Sequence, residues 1–96
     1  MLQEIVIKAN AEESIKPLVE TAIRNQLKAL QHVIIRTKER IAEFEKHAAM
    51  SSAEFEKQLQ SGKIEETVET IDWNMELAAL RLLESQFQSL REAKID

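Results

Sequence analysis

Acidic residues and one histidine recur at helical spacing and are the first candidates for a chemical site. Glu39, Glu43 and His47 follow one another at intervals of four residues, which places them on one helix face. Together they would extend over about 12 Å of helix axis, too far to hold one metal ion. Glu43 and His47 alone would need further ligands from another helix. We interpret the three side chains as a solvated face.

Two kinds of helical enzyme have residue patterns that this chain lacks. Di-iron bundles use a Glu-x-x-His motif, and Glu66, Glu69 and Glu76 do not form one. A chorismate-mutase-like enzyme needs inward-facing arginines and lysines, whereas the inward positions here are almost all apolar. We therefore expect no enzyme, no catalytic residue, no metal and no cofactor.

The composition favours an all-α protein of one domain, residues 1–96. The chain has one Gly, one Pro and no Tyr, and residues that form or tolerate helices dominate. The net charge of −4 gives no support to a basic nucleic-acid-binding face. The absence of cysteine excludes disulfides and thiol chemistry. With no signal-peptide pattern and no apolar run near ~20 residues, we expect a cytoplasmic protein without membrane spans.

The segment LQEIVIK is the only stretch typical of a strand, and it predicts a strand arm over residues 1–10. A lone strand needs a partner for its backbone groups. Ile5 and Ile7 would therefore lie in a contact with a second copy or with another protein. The alternative is an extended arm packed on the helices.

Apolar residues at alternating spacings of four and three predict a long helix over residues 14–49. A start near Ser14 places Pro17 in the first turn, where proline is tolerated; the alternative is one helix kinked at Pro17. A second apolar stripe lies beside the first half of the seam and consists of Val19, Ala22, Ala29 and Val33. The main seam is a heptad pattern formed by Ile23, Leu27, Leu30, Ile34, Thr37, Ile41, Phe44 and Ala48.

Strong capping signals follow the long helix and predict a short helix over residues 52–61. Ser51 and Glu54 have the spacing of a capping box, and Met50 and Phe55 that of a hydrophobic staple. Gly62 stands where a helix would end in the left-handed conformation.

The last predicted helix covers residues 64–93 and carries two apolar stripes. One stripe packs on the first helix and the other needs more protein. The acidic start of this helix and the basic end of the first predict an antiparallel hairpin. The stripes are Ile64, Val68, Ile71, Met75, Ala78 and Leu82, and Trp73, Leu77, Leu80, Phe87 and Leu90.

The run FEKHAAMSSAEFEKQLQSGKIEETVETIDW resembles a set of small prokaryotic helical proteins with the pattern F-E-x-K-Y-G-M-S-S-x-E-F, an acidic G-E-L stretch and an E-W or D-W pair. These are TumA-like antitoxin partners of TumE-type toxins. The chain departs from the pattern at His47-Ala48-Ala49, and the missing glycine predicts a more continuous first helix. The matching residues are Phe44-Glu45, Met50-Ser51-Ser52, Glu54-Phe55, Gly62, Ile64, Asp72-Trp73 and Leu80. The opening EIVIKANAEESIKPLVETAI and the end LLESQFQSLREAKI also resemble the family.

The resemblance implies an antitoxin-like module that neutralises a cognate toxin by occlusion. We expect a homodimeric all-α hairpin with a short connecting helix and an N-terminal strand. The expected partner-binding residues are Ile5, Ile7, Trp73, Leu77, Leu80, Phe87 and Leu90. Trp73 has a second interpretation, since it would also serve as a cap on the hairpin core. Two other functions stay open: a self-associating structural protein, and a DNA-binding autoregulator that uses paired N-terminal strands.

Overall fold

The chain is an antiparallel helical hairpin, as the heptad seams predict. A computed structural model describes the backbone of residues 2–93 and the side chains of residues 15–93. Three helices account for this structure: α1 (Leu2–Ala48), α2 (Ser52–Gln60) and α3 (Val68–Arg91). The short α2 lies at the corner where the chain turns back, and α3 packs along α1.

The predicted strand arm is not present, because α1 is helical from Leu2 and residues 2–93 contain no strand. Within one chain, a strand over LQEIVIK would leave its backbone donors and acceptors unpaired. A helix satisfies those groups locally. The predicted start near Ser14 is wrong, because the helix already begins at Leu2. Pro17 therefore lies inside α1 rather than in its first turn.

The predicted seam of α1 is the face that packs on α3. Leu30 and Ile41 are buried, and Ile34 and Phe44 are half-buried. Thr37 is the one polar side chain in this seam and is 1% exposed. Its hydroxyl Oγ1 accepts a 3.5 Å hydrogen bond from Arg40 Nη2, so the buried oxygen is not left without a donor.

Two ion pairs and one histidine–carboxylate hydrogen bond between α1 and α3 confirm the antiparallel arrangement. They join Lys38 Nζ to Glu84 Oε2 at 3.8 Å, Arg40 Nε to Glu76 Oε2 at 3.1 Å, and His47 Nδ1 to Glu69 Oε1 at 2.6 Å. As the number rises along α1, the number of its partner on α3 falls. Because these pairs are exposed, each contributes only about 0–1 kcal/mol, so they align the helices more than they stabilise them.

The caps of α2 confirm its predicted start at Ser52. Ser51 Oγ accepts a 3.1 Å hydrogen bond from the backbone N–H of Glu54. The Glu54 carboxylate accepts instead from Gln58 Nε2, at 3.0 Å. Glu45 on α1 supplies a second acceptor, since its Oε2 lies 2.8 Å from the backbone N of Ser52. A carboxylate at this position also suits the positive end of the α2 dipole.

Helix α3 begins at Val68, four residues later than the apolar spacing from Ile64 predicts. A capping box fixes this start. Thr67 Oγ1 accepts from the backbone N of Thr70 at 3.2 Å, and Thr70 Oγ1 accepts from the backbone N of Thr67 at 2.8 Å. Threonine at the second position of the box replaces the usual Glu or Gln, so the sequence pattern gave no signal for it.

Helices α1 and α2 end in the same way, and one of the two ends lacks glycine. Gly62 has φ 74° and Ala49 has φ 52°. In each case two backbone hydrogen bonds close the turn. After α1, Met50 N donates to Glu45 O and Ala49 N donates to Lys46 O. After α2, Lys63 N donates to Gln58 O and Gly62 N donates to Leu59 O. These are the bonds of the Schellman motif. Helix α1 therefore ends in a Schellman motif at Ala48 without the glycine of the family pattern.

We expect Ala49→Gly to stabilise the protein by about 1 kcal/mol, because alanine is strained in the left-handed conformation and glycine is not. Gly62→Ala is the matched reverse change and should destabilise by about the same amount. No atom lies within 4 Å of a Cβ added at Gly62, so the loss is conformational and not steric. Urea denaturation measures both. Equal stability of Ala49→Gly and the parent would contradict this account.

Candidate protein-binding surfaces

The hairpin core contains several of the residues that the sequence analysis assigned to partner binding. Ile41, Phe55, Trp73 and Leu77 form this core, and Leu80 packs against it. Trp73 is 2% exposed and Leu77 is 6% exposed. Phe87 and Leu90, further along the same stripe of α3, are half-buried. The side chains of Ile5 and Ile7 lie outside the described residues.

Trp73 joins all three helices through its indole ring. The ring stacks on Phe55 of α2, with centroids 3.9 Å apart and planes 4° apart. It also lies nearly parallel to Phe44 of α1, with centroids 5.9 Å apart. Its Nε1–H donates a 3.1 Å hydrogen bond to Ser52 Oγ. Of the two interpretations of Trp73, this geometry supports the cap on the hairpin core.

The other apolar stripe of α3 faces away from the core. Val68 is 78% exposed, Met75 is 64% exposed and Leu82 is 60% exposed. Residues of a helix follow one another at about 100°, which places this stripe nearly opposite Trp73 and Leu77. We call it the outer face of α3; it consists of Val68, Ile71, Met75, Ala78 and Leu82.

A second apolar surface lies on α1, where that helix extends past the end of α3. The last turns of α3 lie beside Gln26 and Leu30, where Ser89 and Leu90 border a shallow groove. Residues 15–22 are all exposed. We call them the uncovered segment of α1. Its large apolar side chains are Ile15, Leu18 and Val19, at 51%, 67% and 38% exposure.

The charged side chains pair across the hairpin. His47 Nδ1 lies 2.6 Å from Glu69 Oε1 across the hairpin. Among the described side chains, no three His, Cys, Asp or Glu residues lie close enough together to hold a metal ion.

Arg81 on α3 pairs with Glu56 on α2 and ties the short helix to the hairpin. The hydrogen bond from this guanidinium to the Glu56 carboxylate, and then the charge of that carboxylate, raise the pKa of Arg81. The pair is exposed, and its effect is to orient α2.

Sequence reasoning found both stripes of α3 but not their directions. The signal that could have given these directions is the set of aromatic residues at the corner. A tryptophan that can stack on two phenylalanines is expected on the inside of the turn.

None of the helices has, within the described residues, a stretch long and apolar enough to cross a membrane. Comparison with known proteins gave no match: no family model fits the chain, and neither the curated proteins nor the solved structures yield a similar one.

Proposed function

We propose that this chain is an antitoxin-like protein-binding module that neutralises a cognate toxin by covering it. The family resemblance described above suggests the class of partner. Because Trp73 and Leu77 lie in the hairpin core, the surface that meets the toxin in this proposal is the uncovered segment of α1.

The exposure of this segment is the observation that carries the proposal. Leu18 is 67% exposed on a helix that continues beyond its neighbour. A helix that lies alone normally shows charged residues on its free faces. Ile15, Leu18 and Val19 instead lie within one turn of each other, which is the spacing of anchors that insert into a partner's groove.

The mechanism that follows is occlusion by a helix in a groove. The apolar side of α1 would fill a groove of the toxin, and the rest of the hairpin would block access to the surrounding surface. Ile5 and Ile7, further upstream on the same helix, stay predicted contacts. Addition of a β-strand is no longer part of this proposal, since α1 is helical from Leu2.

Self-association belongs to the same proposal, as the homodimer expected from the sequence. Pairing through N-terminal strands has no basis in a chain that is helical over residues 2–48. A DNA-binding ribbon would need the same strands, and for that reason we do not propose it. The surface for self-association must therefore be helical.

The test is co-expression with the protein encoded by the neighbouring reading frame, followed by affinity purification and a growth assay. We expect the two proteins to elute together and this chain to relieve the growth defect. Leu18→Glu should weaken the complex about 30-fold or more, because it places a charge at an apolar anchor. Binding is measured by calorimetry.

Lys16→Glu is the control, since it introduces the same glutamate side chain into the same exposed segment but about 160° away from Leu18 around the helix. It should bind the toxin as the parent does. If the two proteins elute separately and growth is not restored, the antitoxin proposal is wrong. If Leu18→Glu binds as tightly as Lys16→Glu, the toxin uses a different surface.

A further inference from the structure

The outer face of α3 has almost no charge along its whole length. Within the described residues, the positions of this face are occupied by Val68, Ile71, Met75, Ala78 and Leu82, all of them exposed. A helix with one face in a core normally carries charged and polar residues on the opposite face. This helix is apolar on both, which is typical of a helix that is buried on two sides.

The area that the chain exposes is large enough for a stable interface. Its accessible surface is 7758 Å². A compact monomer of 11.0 kDa exposes about 5,600 Å². The excess of about 2,100 Å² belongs to the whole elongated hairpin, and the exposed apolar residues of the outer face supply part of it; a standard interface takes ~800 Å² from each partner.

We propose that two copies of this chain pair through the outer faces of α3, with the two helices antiparallel and Met75 of one copy level with Ala78 of the other. This pairing gives the surface and the direction of the self-association that is part of the proposed function. It does not depend on the toxin.

The register follows from the sizes of the side chains. Pairing residue 75 with residue 78 overlaps the two helices from Val68 to Ser85, which includes the whole outer face. Met75 then packs on the small Ala78, and Ile71 packs on Leu82. Both pairs occur twice by symmetry, so large and small side chains alternate across the interface as in well-packed helix pairs.

Charge favours the antiparallel direction. The start of α3 and the loop before it are acidic: Glu65, Glu66, Glu69, Asp72 and Glu76. A parallel pair would place two such starts side by side, and like charges repel. The antiparallel pair separates them to opposite ends. In this register Asp72 is level with Arg81 of the second copy and Asn74 is level with Ala79, so no like charges meet at the edge.

Cysteine cross-linking tests the direction and the register, because the chain has no cysteine of its own. Ile71→Cys and Leu82→Cys are made separately, mixed and oxidised. The mixture should form covalent dimers of one kind, Cys at 71 to Cys at 82. Each variant alone should stay uncoupled, because its two cysteines would lie about 16 Å apart along the axis, beyond the reach of a disulfide.

Light scattering with charge variants tests the surface. The parent should have about twice the monomer mass of 11.0 kDa. Met75→Glu should raise the dissociation constant of the dimer about 100-fold or more, since symmetry buries the new charge twice. Leu18→Glu, at a similarly exposed apolar residue of α1, should leave the dimer intact. Circular dichroism confirms that both variants keep their helices.

Several results would overturn the pairing. The first is a parent protein that still has the mass of a monomer at about 100 times its concentration in cells. The second is a covalent dimer of either cysteine variant with itself. The third is a dimer that is broken by Leu18→Glu but not by Met75→Glu. Loss of toxin binding alone would not affect it. A dimer that does not bind the toxin would overturn the proposed function but would leave the proposed α3 interface unaffected.

Discussion

Trp73→Ala is expected to lower the free energy of unfolding by about 3–5 kcal/mol, the range for removing a large buried aromatic side chain. Trp73 is 2% exposed and stacks on Phe55 and Phe44. A domain of this size has only about 5–15 kcal/mol of stability. The midpoint of thermal unfolding should therefore fall by on the order of 15 °C. Circular dichroism at 222 nm during heating measures it.

Two milder variants separate the parts of this effect. Trp73→Phe keeps an aromatic ring in the stack and should lose much less stability than Trp73→Ala. Ser52→Ala removes only the acceptor of the indole N–H and should destabilise by about 1 kcal/mol. An unfolding midpoint for Trp73→Ala within 3 °C of the parent would show that the tryptophan is not in the core, and would restore it as a candidate anchor for a partner.

Phe55→Ala is expected to destabilise by about 3–5 kcal/mol as well, with a more local result. Phe55 is 0% exposed and is the buried residue that holds α2 on the hairpin. A helix of nine residues is not stable alone. Without the phenyl ring, α2 should lose its helical structure while α1 and α3 stay paired. Hydrogen exchange of the α2 amides measures this loss directly.

A double-mutant cycle then reports the stack itself. Because the two rings are in contact, Phe55→Ala combined with Trp73→Ala should destabilise by about 1–3 kcal/mol less than the sum of the single changes. Phe55→Leu is the control, since leucine keeps an apolar side chain at the site and should preserve the protection of the α2 amides. Unchanged exchange of those amides in Phe55→Ala would contradict the role of Phe55 as the anchor of α2.

The parts of the fold that local patterns encode were predictable. The seam from Ile23 to Phe44 repeats every three or four residues, and only a helix with one packed face has that period. The caps at Ser51 and Gly62 were also readable, because a side-chain acceptor at the start of a helix and a glycine after its end act within a few residues.

Features that depend on missing or distant partners were not predictable. LQEIVIK suits a strand only if another strand accepts it, and in the single chain it is helical. Ala49 takes a left-handed conformation that its residue type disfavours, since the bonds from Met50 to Glu45 and from Ala49 to Lys46 close the end of α1 there. At this position the two backbone hydrogen bonds outweigh the conformational preference of alanine.

The candidate binding surfaces were also predictable only in part. Two apolar stripes on the last helix follow from the sequence alone, because they are periodic. Which of them faces α1 is decided by the corner. The rings of Phe44, Phe55 and Trp73 stack only if Trp73 points inward, and this rotation turns Met75 and Leu82 outward.

Residue spacing and capping are enough to predict an all-α hairpin, the extent of α2 and the face of α1 that is buried, since these signals act within one helix. How α3 is rotated, and which of the described residues of α1 extend past the end of α3, could be seen only in the folded chain. Those properties depend on how the three helices pack together, and packing fixes the phase of a helix that is apolar on both sides. The surfaces left free by that packing, the uncovered segment of α1 and the outer face of α3, are where partners are expected.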